Sequence, residues 1–282
     1  MIAITGATGN IGAEVVRLLL EAKQPVRLLV RDPSKVKHLE GRAEIVKADL
    51  SQPETLAAGF AGATKAFILV ANIHEIPTAA GAIFQAAERA GVKHTVFISS
   101  GTIGISPATV IGGWHLEGER LLKATKMAWT MLRPGNFASN SLRWAGPIKA
   151  QGSVFTAHAS HESAVIDPRD IAAVAAKALS SPGHENKTYT LTGPTAMSAA
   201  EQVQLLAAAL KKPIKLVEVP AAGARAGMLK GGLTEQLADA ILELTAPGHT
   251  IDQLVTTTVT DVTGKPARTY AEWARDHAAA FN

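Results

Sequence analysis

Thr5-Gly6-Ala7-Thr8-Gly9-Asn10-Ile11-Gly12 follows the short apolar run Met1-Ile2-Ala3-Ile4. It leads into Ala13-Glu14-Val15-Val16-Arg17-Leu18-Leu19-Leu20, whose apolar residues recur with helical spacing. A glycine turn where a strand feeds a helix is the setting in which such a motif holds a dinucleotide. Gly6 permits the tight turn, Gly9 keeps side-chain atoms away from a pyrophosphate, and Gly12 lets the helix lie close on the sheet. Thr8, Asn10 and Ile11 complete the turn. The helix start then offers unpaired N–H groups and the positive end of its dipole. The alternative reading is a tight strand-to-helix turn with no ligand.

Working outward from the turn, strands are expected at 2–5, 26–30, 44–47, 66–70, 95–98 and 129–132. Helices are clearest at 11–22, 78–90 and 113–124. This alternation predicts an α/β fold, a doubly wound parallel sheet with helices on both faces. Residues 1–135 are read as the dinucleotide-binding (Rossmann) domain. Residues 136–282 are read as a smaller, mostly helical part that covers the substrate. Within the latter, helices are expected at 138–144, 168–179, 198–210, 223–230, 234–244 and 269–281. Further strands are expected near 153–155, 164–166 and 188–191, of which 164–166 and 188–191 return to the main sheet, and 215–219 is a further segment of the mostly helical part. Asp167 before Pro168 reads as an N-cap, and Ser198 with Glu201 as a capping box. Met228 and Leu229, between Gly227 and Gly231-Gly232, read as a glycine-hinged flap.

At 282 residues with 47% hydrophobic and 18% charged content, the composition is that of an ordinary globule. There is no apolar run long enough to span a bilayer and no basic-then-apolar leader, so a cytoplasmic protein without membrane contact is expected. Cysteine is absent, which removes disulfides and thiolate chemistry. Nine histidines show no metal-ligand spacing, so no metal is expected. The net charge of +4 is scattered rather than gathered into a stripe, which argues against nucleic acid. A monomer or homodimer acting on a small molecule is the resulting expectation.

A ligand of such a sheet lies outside the carboxyl ends of the strands. The loops after Thr5, Val30, Val70, Ile98 and Leu132 reach that edge. The second strand ends Val30-Arg31-Asp32, with Lys35 close behind. An acidic residue here would bond the ribose 2′-OH of NAD(H), whereas an arginine accommodates the 2′-phosphate of NADP(H). Arg31 and Lys35 favour NADP(H), and Asp32 keeps NAD(H) open. Asp49 and Leu50, after the third strand, are placed to meet the adenine, and Asp49 reads equally well as a helix cap. Asn136 and Phe137 are expected to border the nicotinamide, and Val70, Ser99 and Pro134 to take part in binding the cofactor. Phe137 is a stacking surface or a core aromatic. Trp114 and Trp144 wall a flat acceptor or simply pack.

Thr5 to Gly12, Val30-Arg31-Asp32, Ala48-Asp49-Leu50, Ile98-Ser99-Ser100-Gly101-Thr102 and Leu132-Arg133-Pro134-Gly135-Asn136-Phe137 occur in this order. Together they resemble the short-chain dehydrogenase/reductase superfamily in its atypical NmrA-like branch. That branch includes quinone and dye reductases and redox-sensing NADP(H) binders. Trp114-His115-Leu116-Glu117-Gly118-Glu119 resembles the corresponding stretch of its quinone- and triphenylmethane-reductase-like members, and Tyr270 to His277 also fits. The resemblance implies the fold and the cofactor and leaves the acceptor open. The superfamily's usual Tyr-x-x-x-Lys pair has no counterpart. Tyr189 is followed four residues on by Gly193, and Tyr270 by Ala274. Aligned on Glu119, the Lys position falls on His115 and the Tyr position on Ile111. Reducing a simple ketone makes a strongly basic alkoxide that needs a positioned acid. Reducing a quinone makes a phenolate-like oxygen whose conjugate acid resembles Tyr at about 10. The missing pair therefore directs attention to quinone-like or other conjugated aromatic acceptors, with His115 as the candidate catalytic group. His115 could equally be a helix residue bonded to Ser99, Ser100 or a backbone carbonyl. Glu119, one turn later, could fix His115 or serve as a structural carboxylate. A non-catalytic NADP(H) sensor is the competing function.

Overall fold

The computed structural model describes residues 1–105, 108–246 and 253–282. The chain begins with β1 (Ile2–Thr5), α1 (Asn10–Glu21), β2 (Val26–Val30) and β3 (Glu44–Lys47). It continues through α2 (Leu56–Phe60), β4 (Lys65–Ile68), α3 (Ile76–Arg89), β5 (His94–Ile98), α4 (Thr102–Ile105), α5 (Val110–Lys123) and β6 (Ala128–Pro134). These strands and Lys187–Leu191 form a seven-stranded sheet in the order β3-β2-β1-β4-β5-β6 with Lys187–Leu191 at the edge. Each neighbouring pair is parallel. The order reverses between β1 and β4, which places the ligand crevice at their carboxyl ends.

The sheet is apolar on both faces because both are covered. Side chains alternate along each strand, so Ile2, Ile4, Phe67, Val96 and Leu132 pack with Ile11, Val15 and Leu19 of α1 and with Ile171, Val174 and Ala175. Ala3, Ala66, Ile68, Phe97 and Met131 face Leu56, Phe60, Ile83, Phe84 and Leu122 on the other side. A separate cluster joins Val154, Val165, Val203, Leu206, Tyr270, Trp273 and Phe281 in the C-terminal part. Asp167 caps the Pro168–Ser180 helix by accepting from the Arg169 backbone N–H at 2.8 Å. Ser198 and Glu201 form the capping box of Ala199–Leu210.

Several elements differ from the reading of the sequence. β4 stops at Ile68 because the Leu69 N–H turns to the Thr5 hydroxyl at 2.9 Å, carrying Leu69 and Val70 off the ladder and over the glycine turn. Residues 164–166 form no strand of the sheet. The backbone of Ile166 bonds Asn136 and Ala138, and Gly193 donates to Ala164, so this segment is pinned between two loops. The short ladder beside it is Glu162–Ser163 with Met197–Ser198. Met228 and Leu229 do not lie in a flap. They sit in the helix Ala221–Lys230, which runs through Gly227 and ends where Gly232 turns to φ +93°. Among the described residues, no helix is long and apolar enough to cross a membrane.

Candidate functional site

The loops after β1 to β4 enclose a cleft of about 240 Å³, lined by Gly6, Thr8, Gly9, Arg31, Lys35, Asp49, Leu50 and Val70. The three glycines of the turn have different duties. Gly6 adopts φ +68°, which favours glycine. A Cβ on Gly12 would sit 2.1 Å from the Gly6 carbonyl oxygen, so Gly12 lets the helix start against the turn rather than against the sheet. A Cβ on Gly9 would meet only the Gly6 carbonyl oxygen, at an ordinary 3.5 Å. The protein itself has room for a side chain there, so the bare backbone at Gly9 serves whatever lies in the cleft. Gly9 is also the N-cap of α1 and supplies no side-chain cap to its first N–H groups. A cradle of this shape, at an uncapped helix start, fits a pyrophosphate. Asn10 is exposed at the first position of α1 and lines neither this cleft nor the cavity beside it.

At the end of β2, Arg31 and Lys35 line the cleft together with Asp32. Oδ1 of Asp32 is engaged locally, accepting from the Ser34 backbone N–H at 3.1 Å and its hydroxyl at 2.6 Å. It caps the short turn Pro33–Leu39. Oδ1 of Asp49 does the same for Ser51, at 3.0 and 2.8 Å, which closes a local turn; the next helical turn, Pro53–Thr55, has Gln52 at its N-cap, so Asp49 caps no helix and borders the cleft.

Leu69, Val70 and Ala71 line both this cleft and an inner cavity of about 400 Å³, so the two spaces share a wall. The inner cavity also holds Ile11, Ser99, His115, Pro134, Asn136 and Phe137. His115 is only 6% exposed, and its Nδ1 is buried with no hydrogen-bond partner among the described residues. The expected bonds to Ser99, Ser100 or a carbonyl do not form. Burial lowers its pKa to about 4, only partly opposed by the Glu119 charge, so the imidazole is neutral at neutral pH.

Glu119 does not fix His115. It lies 1% exposed and accepts from the Ser99 hydroxyl at 2.7 Å and from both arms of the Arg133 fork at 2.8 and 2.7 Å. Burial works to raise its pKa, but the bonds from Arg133 and Ser99 outweigh that and hold the carboxyl below its ordinary value. This pair joins α5 to the ends of β5 and β6 and so sets where His115 stands. Asn136 is held between Asn140, which donates to its Oδ1 at 2.7 Å, and Ser163, which accepts from its Nδ2 at 3.2 Å.

Neither tyrosine lines the inner cavity. The Tyr189 hydroxyl lies 2.8 Å from His184 Nδ1, and Tyr270 donates to the Ser141 hydroxyl from the buried C-terminal cluster. Trp114 lies outside the cavities and meets His74 edge-on. Trp144 and Met228 line a third, outer cavity of about 430 Å³. Sequence reasoning passed over Asn140, Arg143, His161 and Ser163, which border the inner cavity. For Arg143 a signal existed: residues 139, 140, 146 and 147, its neighbours three and four positions away, include no acid.

A family described as NAD(P)H-binding matches residues 6–182, more than half of the chain. The NAD(P)H azoreductase of Xenophilus azovorans is 42% identical, with 100% of this chain and 99% of that protein covered. The (4-alkanoyl-5-oxo-2,5-dihydrofuran-3-yl)methyl phosphate reductase of Streptomyces griseus is 34% identical over 100% of this chain and 99% of its own. Among solved structures, the NADPH-dependent quinone oxidoreductase QOR2 of Escherichia coli complexed with NADPH superposes with a TM-score of 0.86. It is 27% identical, with 100% of both chains covered. The glycine turn, the parallel sheet and these relatives agree, and the chain belongs to the NAD(P)H-binding family.

Proposed function

We propose that this NAD(P)H-dependent reductase transfers a hydride from NADPH to a quinone-like or other conjugated aromatic acceptor without a tyrosine–lysine pair. The observation that carries the reading is the shared wall at Leu69, Val70 and Ala71. A dinucleotide seated over Gly9 would run past Val70 into the inner cavity. The lining there is largely apolar, with His115 as a neutral polar group, Arg143 and His161 at the far side, and no tyrosine or lysine among the described residues. The azoreductase and quinone oxidoreductase similarities support the same class of acceptor.

NADPH, when bound, supplies the hydride. The protein's part is to orient the acceptor and to stabilise the oxygen that gains charge. An unpaired buried N–H is costly, so the His115 proton belongs on Nε2, leaving a bare lone pair at Nδ1. Nε2–H is then a neutral donor for the phenolate-like oxygen of the reduced acceptor, and water supplies the final proton. Phe137 and Pro134 offer flat apolar surface against the rings.

NADPH oxidation with a panel of quinones, dyes and aliphatic ketones tests the reading. Turnover is expected with the conjugated acceptors and not with the ketones. His115→Ala is expected to lower kcat with a quinone by about ten- to a hundredfold without abolishing it, the loss of one hydrogen-bond donor. A complete loss would show that His115 is an obligatory acid.

For the cofactor, we infer a preference for NADPH over NADH. Arg31 and Lys35 stand at the end of β2 where a 2′-phosphate would lie, and Asp32 already caps a turn. Arg31→Ala is expected to weaken NADPH by about 1.5–3 kcal/mol, the worth of a hydrogen bond to a charged group, and NADH far less. Titration of both cofactors measures this. Equal losses would remove Arg31 from phosphate recognition.

A further inference from the structure

Arg143 lies on the short helical turn Ala138–Trp144, where the inner and outer cavities meet. Both spaces are lined at this junction by Asn136, Arg143, His161, Ser163, Ile241 and Thr245. Among the described residues, neither cavity is lined by a single aspartate or glutamate. Arg143 has no hydrogen bond or ion pair with any described residue. Arg143 is an exposed residue that lines both cavities, and burial of its guanidinium among them pulls its pKa below the usual value. Arg17, Arg133, Arg169 and Arg225 are the reverse case: each is held above the usual value by a carboxylate partner. A guanidinium is charged at any working pH and presents a fork of donors matched to an oxyanion. Left alone at a partly desolvated cavity junction it costs free energy that an incoming anion offsets.

We propose that Arg143 is a specificity-determining residue that binds an oxyanion, such as a sulfonate, carboxylate or phosphate, carried by the acceptor. The inference rests on the inner cavity being the acceptor site. It adds that the acceptor is elongated and anionic. Its conjugated ring lies in the inner cavity, its oxyanion sits on Arg143, and the remainder extends between Trp144 and Met228 in the outer cavity. The two spaces, about 400 and 430 Å³, are each of a size that holds a small organic ligand.

The test uses a matched pair of acceptors, 1,4-naphthoquinone-2-sulfonate and its neutral sulfonamide, with wild-type protein, Arg143→Gln and Arg143→Lys. Arg143→Gln is expected to raise KM for the sulfonate about ten- to a hundredfold, the range for a lost charge-assisted bond. KM for the sulfonamide, kcat with either acceptor and NADPH affinity should each move less than about threefold. Arg143→Lys should recover part of the loss by restoring charge without the fork. Added salt should raise KM for the sulfonate in the wild type and not in Arg143→Gln. Equal losses with both acceptors would assign Arg143 to the fold. A parallel loss of NADPH affinity would assign it to the cofactor. Either result overturns the proposal. If the wild type binds NADPH and reduces neither quinone, the reductase reading of the cavity fails. Equilibrium dialysis of the sulfonate against the NADP⁺-loaded protein then decides: Arg143-dependent binding upholds the anion site, and absent or Arg143-independent binding removes it.

Discussion

Gly9→Val is expected to weaken NADPH binding by more than about a hundredfold, about 2.7 kcal/mol or more, while the protein stays folded. The two halves of this expectation come from one geometric fact. A Cβ at Gly9 finds no protein atom nearer than 3.5 Å, so the first side-chain carbon enters without a clash. The backbone there is extended (φ −93°, ψ 171°), a conformation valine adopts readily. Gly9 lines the cleft, so a branched side chain there takes the place of a pyrophosphate and covers the N–H groups that open α1. Fluorescence titration with NADPH, beside circular dichroism of the same sample, separates the two effects. Unchanged affinity in a folded variant would move the dinucleotide away from this turn.

Glu119→Ala is expected to destabilise the protein by about 3–5 kcal/mol, the usual result of removing one member of a buried ion pair. Glu119 is almost fully buried, and its loss strands the Arg133 fork and the Ser99 hydroxyl together. In thermal unfolding this corresponds to a fall of roughly 10 °C. The pair is also sensitive to acid with a definite sign. Because Glu119 is held below its ordinary pKa, its contribution is in place above the pKa of an unfolded Glu and is lost as pH falls through the lowered folded value. A change under about 1 kcal/mol in urea unfolding would show that the network is dispensable.

The parts of the fold that could be read from the sequence are those governed by local rules. Strand–turn–helix punctuation placed β1, the glycine turn and α1, and apolar runs placed the other parallel strands to within a residue or two. Caps written in adjacent residues, Asp167 with Pro168 and Ser198 with Glu201, formed as expected. What sequence could not supply was set by partners far along the chain. β4 ends early because of a hydroxyl 64 residues away at Thr5. Glu119 faces Arg133 and Ser99, not the histidine one turn before it, because the ends of β5 and β6 converge on α5. The glycines around Met228 suggested a hinge, yet helix continuity prevailed over a single Gly227. Gly9 and Gly12 looked alike in the motif, and only the distances around their missing side chains separate a ligand-facing glycine from a structural one. Arg143 and Asn140 reach the cavity from a helical turn whose direction is fixed by tertiary packing, so the local lack of an acid marked Arg143 as unpaired without placing either residue beside the cavity that His115 lines.

The most direct measurement is a single-turnover reaction of the protein–NADPH complex, mixed in one arm with a 1,4-naphthoquinone and in the other with a simple aliphatic ketone. Rapid loss of the reduced-nicotinamide absorbance is expected with the quinone, slowed severalfold when deuterium replaces the transferred hydrogen, and no loss with the ketone. Efficient, stereoselective ketone reduction would contradict it by revealing an acid that His115 and its surroundings do not provide. A tight NADPH complex inert to every conjugated acceptor would contradict it differently, marking the protein as a sensor of the cofactor and not a reductase.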